Sequence, residues 1–266
     1  PMRRSSQRRA MLGRHARLAG AAFAVALAAV LCASLGARAA DPSGVARWLD
    51  VESRIQYAYY TEERRDLEGI VASLAADTGG AGGRRSYYVA LASYRLAELS
   101  ETGAVDRMKQ SVERCVSALG AAEGAPPAAA ERLALQSACL RLQATFEPLR
   151  SPYLRARSAS AMRRALALAP HNPRVLLLHA LADRDERRAR AQVTRELRQA
   201  AAAFEVERQG VERVPEWGAA EAYAFLGRSL LEQGQTLAAR GALERALLLV
   251  PDFALAHRLM ARITAG

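Results

Sequence analysis

The stretch "AEAYAFLGRSLLEQGQTLAARGALERALLLVP", residues 220–251, reads as two helix-favouring runs separated by a polar turn around Gly234. Gly227 interrupts the first run between Leu226 and Arg228. A glycine inside a helix costs about 1 kcal/mol relative to alanine, so its presence demands a packing or functional reason. The second run closes with "ALERALLLVP" (242–251), and a near copy, "AMRRALALAP" (161–170), stands 81 residues earlier. Both place small and large apolar residues at helical spacing and end on a proline. Proline cannot continue a helix but opens the next one well, so the same structural event occurs twice.

Composition agrees with helices throughout. Hydrophobic residues make up 51% of the 266, aromatics only 6%, and no sustained two-residue alternation of the kind strands require is present. The fold class expected is all-α. The formal charge of +11 is concentrated at the start: residues 1–39 hold seven arginines and no acidic residue, leaving 31 basic against 27 acidic side chains in the remainder.

The period of the self-similar runs points to a family. With Pro251 as the terminal proline of a unit of about 34 residues, Tyr223, Leu226, Gly227, Leu230, Gly234, Ala239, Leu243 and Ala246 fill every signature position of the tetratricopeptide repeat, which this chain therefore resembles. The resemblance implies antiparallel helix pairs stacked into a right-handed solenoid of four to five hairpins with insertions. It makes Gly227 and Ala239 the small residues at which the two helices of one unit cross. It is strong over 220–261 and weaker elsewhere from 85 to 264. Tyr88, Leu91 and Ala92 open one pair, completed by Cys115, Leu119 and Ala122 on the partner helix and ended by Pro127. Leu133 and Ser137 open a second, closed by Met162, Ala165 and Pro170 after an insertion around "FEPLRSPY". Leu176 and Ala180 open a third, whose second helix runs long through "RAQVTRELRQAAAAFEVE", and His257 and Ala261 lie on a closing helix. Asn172-Pro173-Arg174 and Trp217-Gly218 stand as they do in small exported bacterial tetratricopeptide proteins of unassigned function, although the glycine-rich insertion of such proteins is absent here. Asn172 also has a local reading as a helix N-cap, with Pro173 in the first turn.

The chain divides into a leader (1–39), an N-terminal helical pair with the glycine-rich linker "DTGGAGGRRS" (40–84) and a repeat domain (85–266). The leader has a basic start, the apolar run "LAGAAFAVALAAVLCASLG" and the small-x-small pattern Ala37-Arg38-Ala39, which is the pattern of a cleaved secretory signal. Export to a periplasm follows; the alternative is an uncleaved anchor that tethers the chain to the membrane. Arg8-Arg9 leaves Sec and twin-arginine routes both open, and Met2 and Met11 are both possible starts. Cleavage removes Cys32 and leaves Cys115 and Cys139 in a compartment that permits disulfides. The two can bond or sit as two small buried hydrophobes.

No constellation for catalysis stands out. "LGRSLLE" lacks the second glycine and the preceding strand of a nucleophile elbow, and "TGGAGGRRS" lacks the Gly-Lys-Ser/Thr ending of a phosphate loop. His171, His179 and His257 share no ligand spacing with the cysteines, so neither metal nor cofactor is expected. No basic stripe with interleaved aromatics indicates nucleic acid. Binding remains. In the tetratricopeptide frame the first helices line a concave groove, and Arg141, Arg174, Arg184, Glu221, Arg228 and Glu232 are the groove positions. The resemblance thus implies a non-enzymatic adaptor that holds a peptide or an envelope protein there. The alternative is an accessory subunit docking through its convex face or N-terminal helices.

Overall fold

The computed structural model describes residues 42–77, 82–100, 105–120, 129–185, 188–209 and 217–265. The leader, part of the glycine-rich linker and most of "GAAEGAPP" lie outside the described residues. The chain divides into a unit of residues 1–46, of which only 42–46 are described, and a unit of residues 47–266, to which everything below refers.

The described residues hold eleven α-helices and no strand. They are α1 (Pro42–Tyr60), α2 (Arg64–Ala76), α3 (Gly82–Glu98), α4 (Val105–Gly120), α5 (Ala129–Phe146), α6 (Ser151–Leu168), α7 (Pro173–Asp185), α8 (Arg190–Arg208), α9 (Ala219–Leu231), α10 (Thr236–Leu249) and α11 (Ala254–Ala265). The most extensive packing joins α3 to α4, α5 to α6, α7 to α8 and α9 to α10, and first helices also meet across pairs, α5 on α7 and α9 on α11.

Local chemistry explains the boundaries. Asn172 caps α7: its Oδ1 accepts the backbone N–H groups of Arg174 (3.0 Å) and Val175 (3.1 Å), and Pro173 occupies the first turn, where its missing N–H is harmless. The stretch around "FEPLRSPY" holds a tight turn, and the flanking α5 and α6 run to 18 residues each against 13 and 14 for α9 and α10, so the extra residues of this pair lengthen its helices. Phe146 ends α5, Ser151 begins α6, and a proline in the first turn of α6 fixes the restart. Helix α3 begins at Gly82, so it absorbs the end of the stretch read as linker. Helix α8 runs to 19 residues, the overshoot the sequence suggests.

Gly227 has the packing reason its cost required. A Cβ there would lie 2.7 Å from Leu243 Cγ and 3.3 Å from the Ala239 carbonyl oxygen, so α9 and α10 cross in direct backbone-to-side-chain contact. Gly218, before α9, is constrained twice. Its φ is +109°, and a Cβ would stand 2.5 Å from the ring of Phe204 on α8. Between α4 and α5 a disulfide joins Cys115 to Cys139, with Cα atoms 6.3 Å apart and both residues fully buried.

Candidate functional site

Helix α1 packs across α3 and α9. Its Trp48 stacks on Tyr88 of α3 with ring centroids 5.5 Å apart. One turn on, Glu52 accepts the Tyr88 hydroxyl (2.9 Å), the Gln56 amide (2.8 Å) and the backbone N–H of Trp217 (3.0 Å). At its end Tyr60 donates to Glu221 of α9 (3.1 Å) and packs its ring 4.7 Å from that of Phe253, just before α11. Residues far apart in the chain are thereby held to one helix.

Beside α1 the first helices are tied by buried ion pairs. Arg95 of α3 donates to Glu221 at 2.5 Å and to Glu98 at 2.6 Å, and its guanidinium sits 4.2 Å over Tyr59 and 5.1 Å from the Trp217 ring. Burial works against the charge on Arg95, but Glu221 and Glu98 outweigh it and keep the guanidinium firmly protonated. Burial pushes the Glu221 carboxyl up, and Arg95 pulls it back toward ionisation. Arg174 of α7 grips Glu207 through both terminal nitrogens (2.7 and 3.0 Å) and lies 3.5 Å from Glu131 of α5, which also accepts the Asn172 amide (2.8 Å). Trp217, fully buried, donates its indole N–H to Tyr87 (3.1 Å). Arg174, Trp217 and Gly218 thus belong to the interior, with Asn172 half-buried beside them.

Two expectations about the groove are therefore corrected. Glu221 is 0% exposed and Arg174 1% exposed, and both are held in intramolecular ion pairs. Neither faces an open groove: Tyr60 of α1 and Arg95 of α3 close over Glu221, and Arg174 lies between Glu131, Glu207 and the Trp217 ring.

The other four groove positions meet where the first helices end. A cavity of about 440 Å³ is lined by α3, α5, α7 and α9 near their C-termini, with Tyr59 of α1, Arg155 of α6 and Arg258 of α11. Arg141, Arg184 and Arg228 converge on it, one from each of three successive first helices, together with Arg155 and Arg258. An adjoining cavity of about 530 Å³ shares Arg184 and Arg228 and adds Glu232, which accepts from Arg228 at 3.2 Å. Apolar walls come from Tyr94, Leu142, Phe225 and Phe253.

Five arginines face three carboxylates on the wall of the first of these cavities, and the pairing is uneven. Glu62 is matched by Arg258 through two bonds of 2.6 and 2.7 Å, and Glu98 by the buried Arg95. Asp185 alone serves two cations: it accepts Arg141 Nε at 3.1 Å and Arg184 Nε and Nη2 at 3.1 and 2.9 Å. Arg155 bonds to the Ser151 hydroxyl. Burial alone would lower Arg184, but Asp185 more than offsets it and holds the guanidinium above its ordinary value. Arg184 and Arg228 stand in the last turns of α7 and α9, where the negative end of the helix dipole favours a cation. Burial raises the phenols of Tyr59 and Tyr94, so both remain protonated near neutral pH and neither is a general base there.

Sequence reasoning missed Arg155 and Arg258 because one stands on a second helix and the other on the closing helix, outside the first-helix frame. It missed Arg95 too, although a signal was present: Tyr88, Leu91, Ala92 and Arg95 share one helical stripe, and a charge on an apolar stripe calls for a buried partner. Among the described residues no group of His, Cys, Asp and Glu could hold a metal ion, and no helix is long and apolar enough to cross a membrane. No family model matches the chain, and no curated protein matches it.

Proposed function

We propose that this chain is an exported, non-catalytic adaptor of tetratricopeptide-like design that holds a segment of another protein, and that it does so at the arginine-lined cavity rather than along the length of a groove. The observation that carries this is the convergence of Arg141, Arg184 and Arg228, from α5, α7 and α9, on a single cavity. Repeated helix pairs deliver equivalent positions of successive units to a common surface, which is how such arrays build a binding site. The pairwise packing of α3–α10 and the close crossing at Gly227 support the repeat reading. The Cys115–Cys139 disulfide supports export, since such bonds persist in oxidising compartments.

The second reading, an accessory subunit docking through its N-terminal helices, has its own support. Tyr57 is 61% exposed and lines a shallow cavity between α1 and α2 with Arg54 and Arg65. Deleting residues 40–84 cannot separate the two readings, because it would remove Trp48, Ile55, Tyr60 and Leu67 from the core. Point substitutions can. The protein is captured from its own host envelope, and co-purifying proteins are compared by quantitative mass spectrometry across wild type, R155E/R228E and R54E/Y57A. Loss of the same partner only in R155E/R228E supports the adaptor reading. Loss only in R54E/Y57A overturns it in favour of docking, and an unchanged set in both overturns both surfaces.

A further inference from the structure

Within the cavity that Arg141, Arg184 and Asp185 line, two guanidiniums are left incompletely satisfied. Arg141 is 6% exposed, and its Nη1 is buried without a hydrogen-bond partner; Arg184 Nη1 is in the same condition. Both line the cavity, and both are fixed by one carboxylate, Asp185, which engages Nε of each. Arg184 is steadied further by the Phe225 ring 4.9 Å from its guanidinium carbon. A buried N–H without an acceptor is a standing penalty that an incoming acceptor removes, and an anionic acceptor removes it best. The surplus of arginines over carboxylates on the wall selects the same sign, and the aromatic and leucine surfaces beside them favour a group with an apolar body. A volume of about 440 Å³ falls within the usual range for small-ligand sites.

We infer that the cavity recognises an oxyanion, a carboxylate or a phosphate monoester, carried on an apolar body, with its oxygens held by the guanidiniums of Arg141 and Arg184 after a small side-chain shift that turns their buried Nη1 groups to the ligand. Asp185 is a positioning residue: it orients the two guanidiniums and does not touch the ligand. The inference rests on the adaptor reading for its location only. Its probes are small molecules, so each can fail without the other.

The test is titration calorimetry of the purified protein with hexanoate, hexyl phosphate and hexanol, with thermal melting as a second measurement. One or both anions are expected to bind at least tenfold more tightly than hexanol, and the better of the two names the source of the oxyanion. R184Q is expected to weaken that anion by roughly tenfold or more while leaving hexanol binding unchanged. R141Q is expected to do the same, and R228Q, which leaves both Nη1 groups in place, to change it less. Equal binding of hexanol and the anions, no binding of either anion at millimolar concentration, or full anion binding by a folded R184Q protein would overturn the inference. Anion binding without any retained protein partner would uphold it and remove the adaptor reading. A partner retained by R184Q and undisturbed by the anions would uphold that reading and count against the oxyanion.

Discussion

Replacing Gly227 with alanine sets two known effects against each other. Alanine is the better helix former by about 1 kcal/mol, so in an open helix the change stabilises. At Gly227 the new methyl would lie 2.7 Å from Leu243 Cγ and 2.8 Å from one of its Cδ atoms. The nearer atom is the branch carbon, one bond from Cβ, and rotation cannot carry it far while α10 stays in place. The helices must separate, at an overpacking cost of about 1–3 kcal/mol. The expected outcome is a net loss on the order of 1 kcal/mol, or about 2–4 °C in Tm for a unit of this size. Gly69 on α2 and Gly241 on α10 supply the contrast, because a Cβ at either meets nothing within 4 Å. G69A and G241A should each gain about 1 kcal/mol, placing G227A roughly 2 kcal/mol below them. Urea unfolding followed by far-UV ellipticity measures all three. In an L243A background the penalty of G227A should vanish and the propensity gain return, giving a coupling of at least about 1 kcal/mol. If G227A stabilises as much as G241A, or if the cycle shows no coupling, the close-crossing explanation is wrong.

Removing Glu221 by E221A leaves Arg95 buried beside Glu98 alone and should cost about 3–5 kcal/mol in urea unfolding, whereas the double change R95M/E221L should cost much less because no buried charge is stranded. Reducing the Cys115–Cys139 disulfide reopens a loop of sequence separation 24 and should lower stability by about 3.5 kcal/mol, read as the shift between melting curves with and without reductant. Burial would raise the Glu205 carboxyl, but hydrogen bonds from Tyr223 (2.9 Å) and Arg245 (3.0 Å) outweigh it and hold it below its ordinary value. Its stabilising contribution is therefore complete above the unfolded carboxylate value and is lost as pH falls through the lower, folded one. E205Q should flatten the stability–pH curve in that acidic window and leave it parallel to wild type at neutral pH.

Periodicity made much of the helix order readable. A glycine that lowers helix propensity in a strongly helical run calls for a packing or functional reason, and a run that stops twice on proline marks two similar helix ends. What the pattern could not supply was anything outside its own period. Helix α1 is not a signature helix of the repeat, so nothing in the frame indicated that Tyr60 would cover Glu221, or that Glu207 and Trp217 would enclose Arg174. A helical frame gives the direction of a side chain, and the rest of the chain determines whether that direction leads to water. Arg141, Arg184 and Arg228 came together because they lie toward the C-terminal ends of their helices, where the last turn of α1 adds Tyr59 to the cavity wall. The disulfide was undecidable from spacing, because pairing depends on how far α4 and α5 slide past each other, and that offset is set by side-chain packing.

The contacts of α1 also bear on how the molecule comes apart. In an open repeat array each unit touches only its neighbours, so end units can fray singly and units can be gained or lost by duplication. Here Tyr59, Tyr60 and Glu62, from the first hairpin, are held to Phe253 and Arg258 at the other end of the chain. The terminal helices share one set of contacts, so fraying at one end loosens the other. Unfolding should be a single cooperative event, with amide protons of α1 and α11 exchanging at matched rates, and inserting a further helix pair would break the closure.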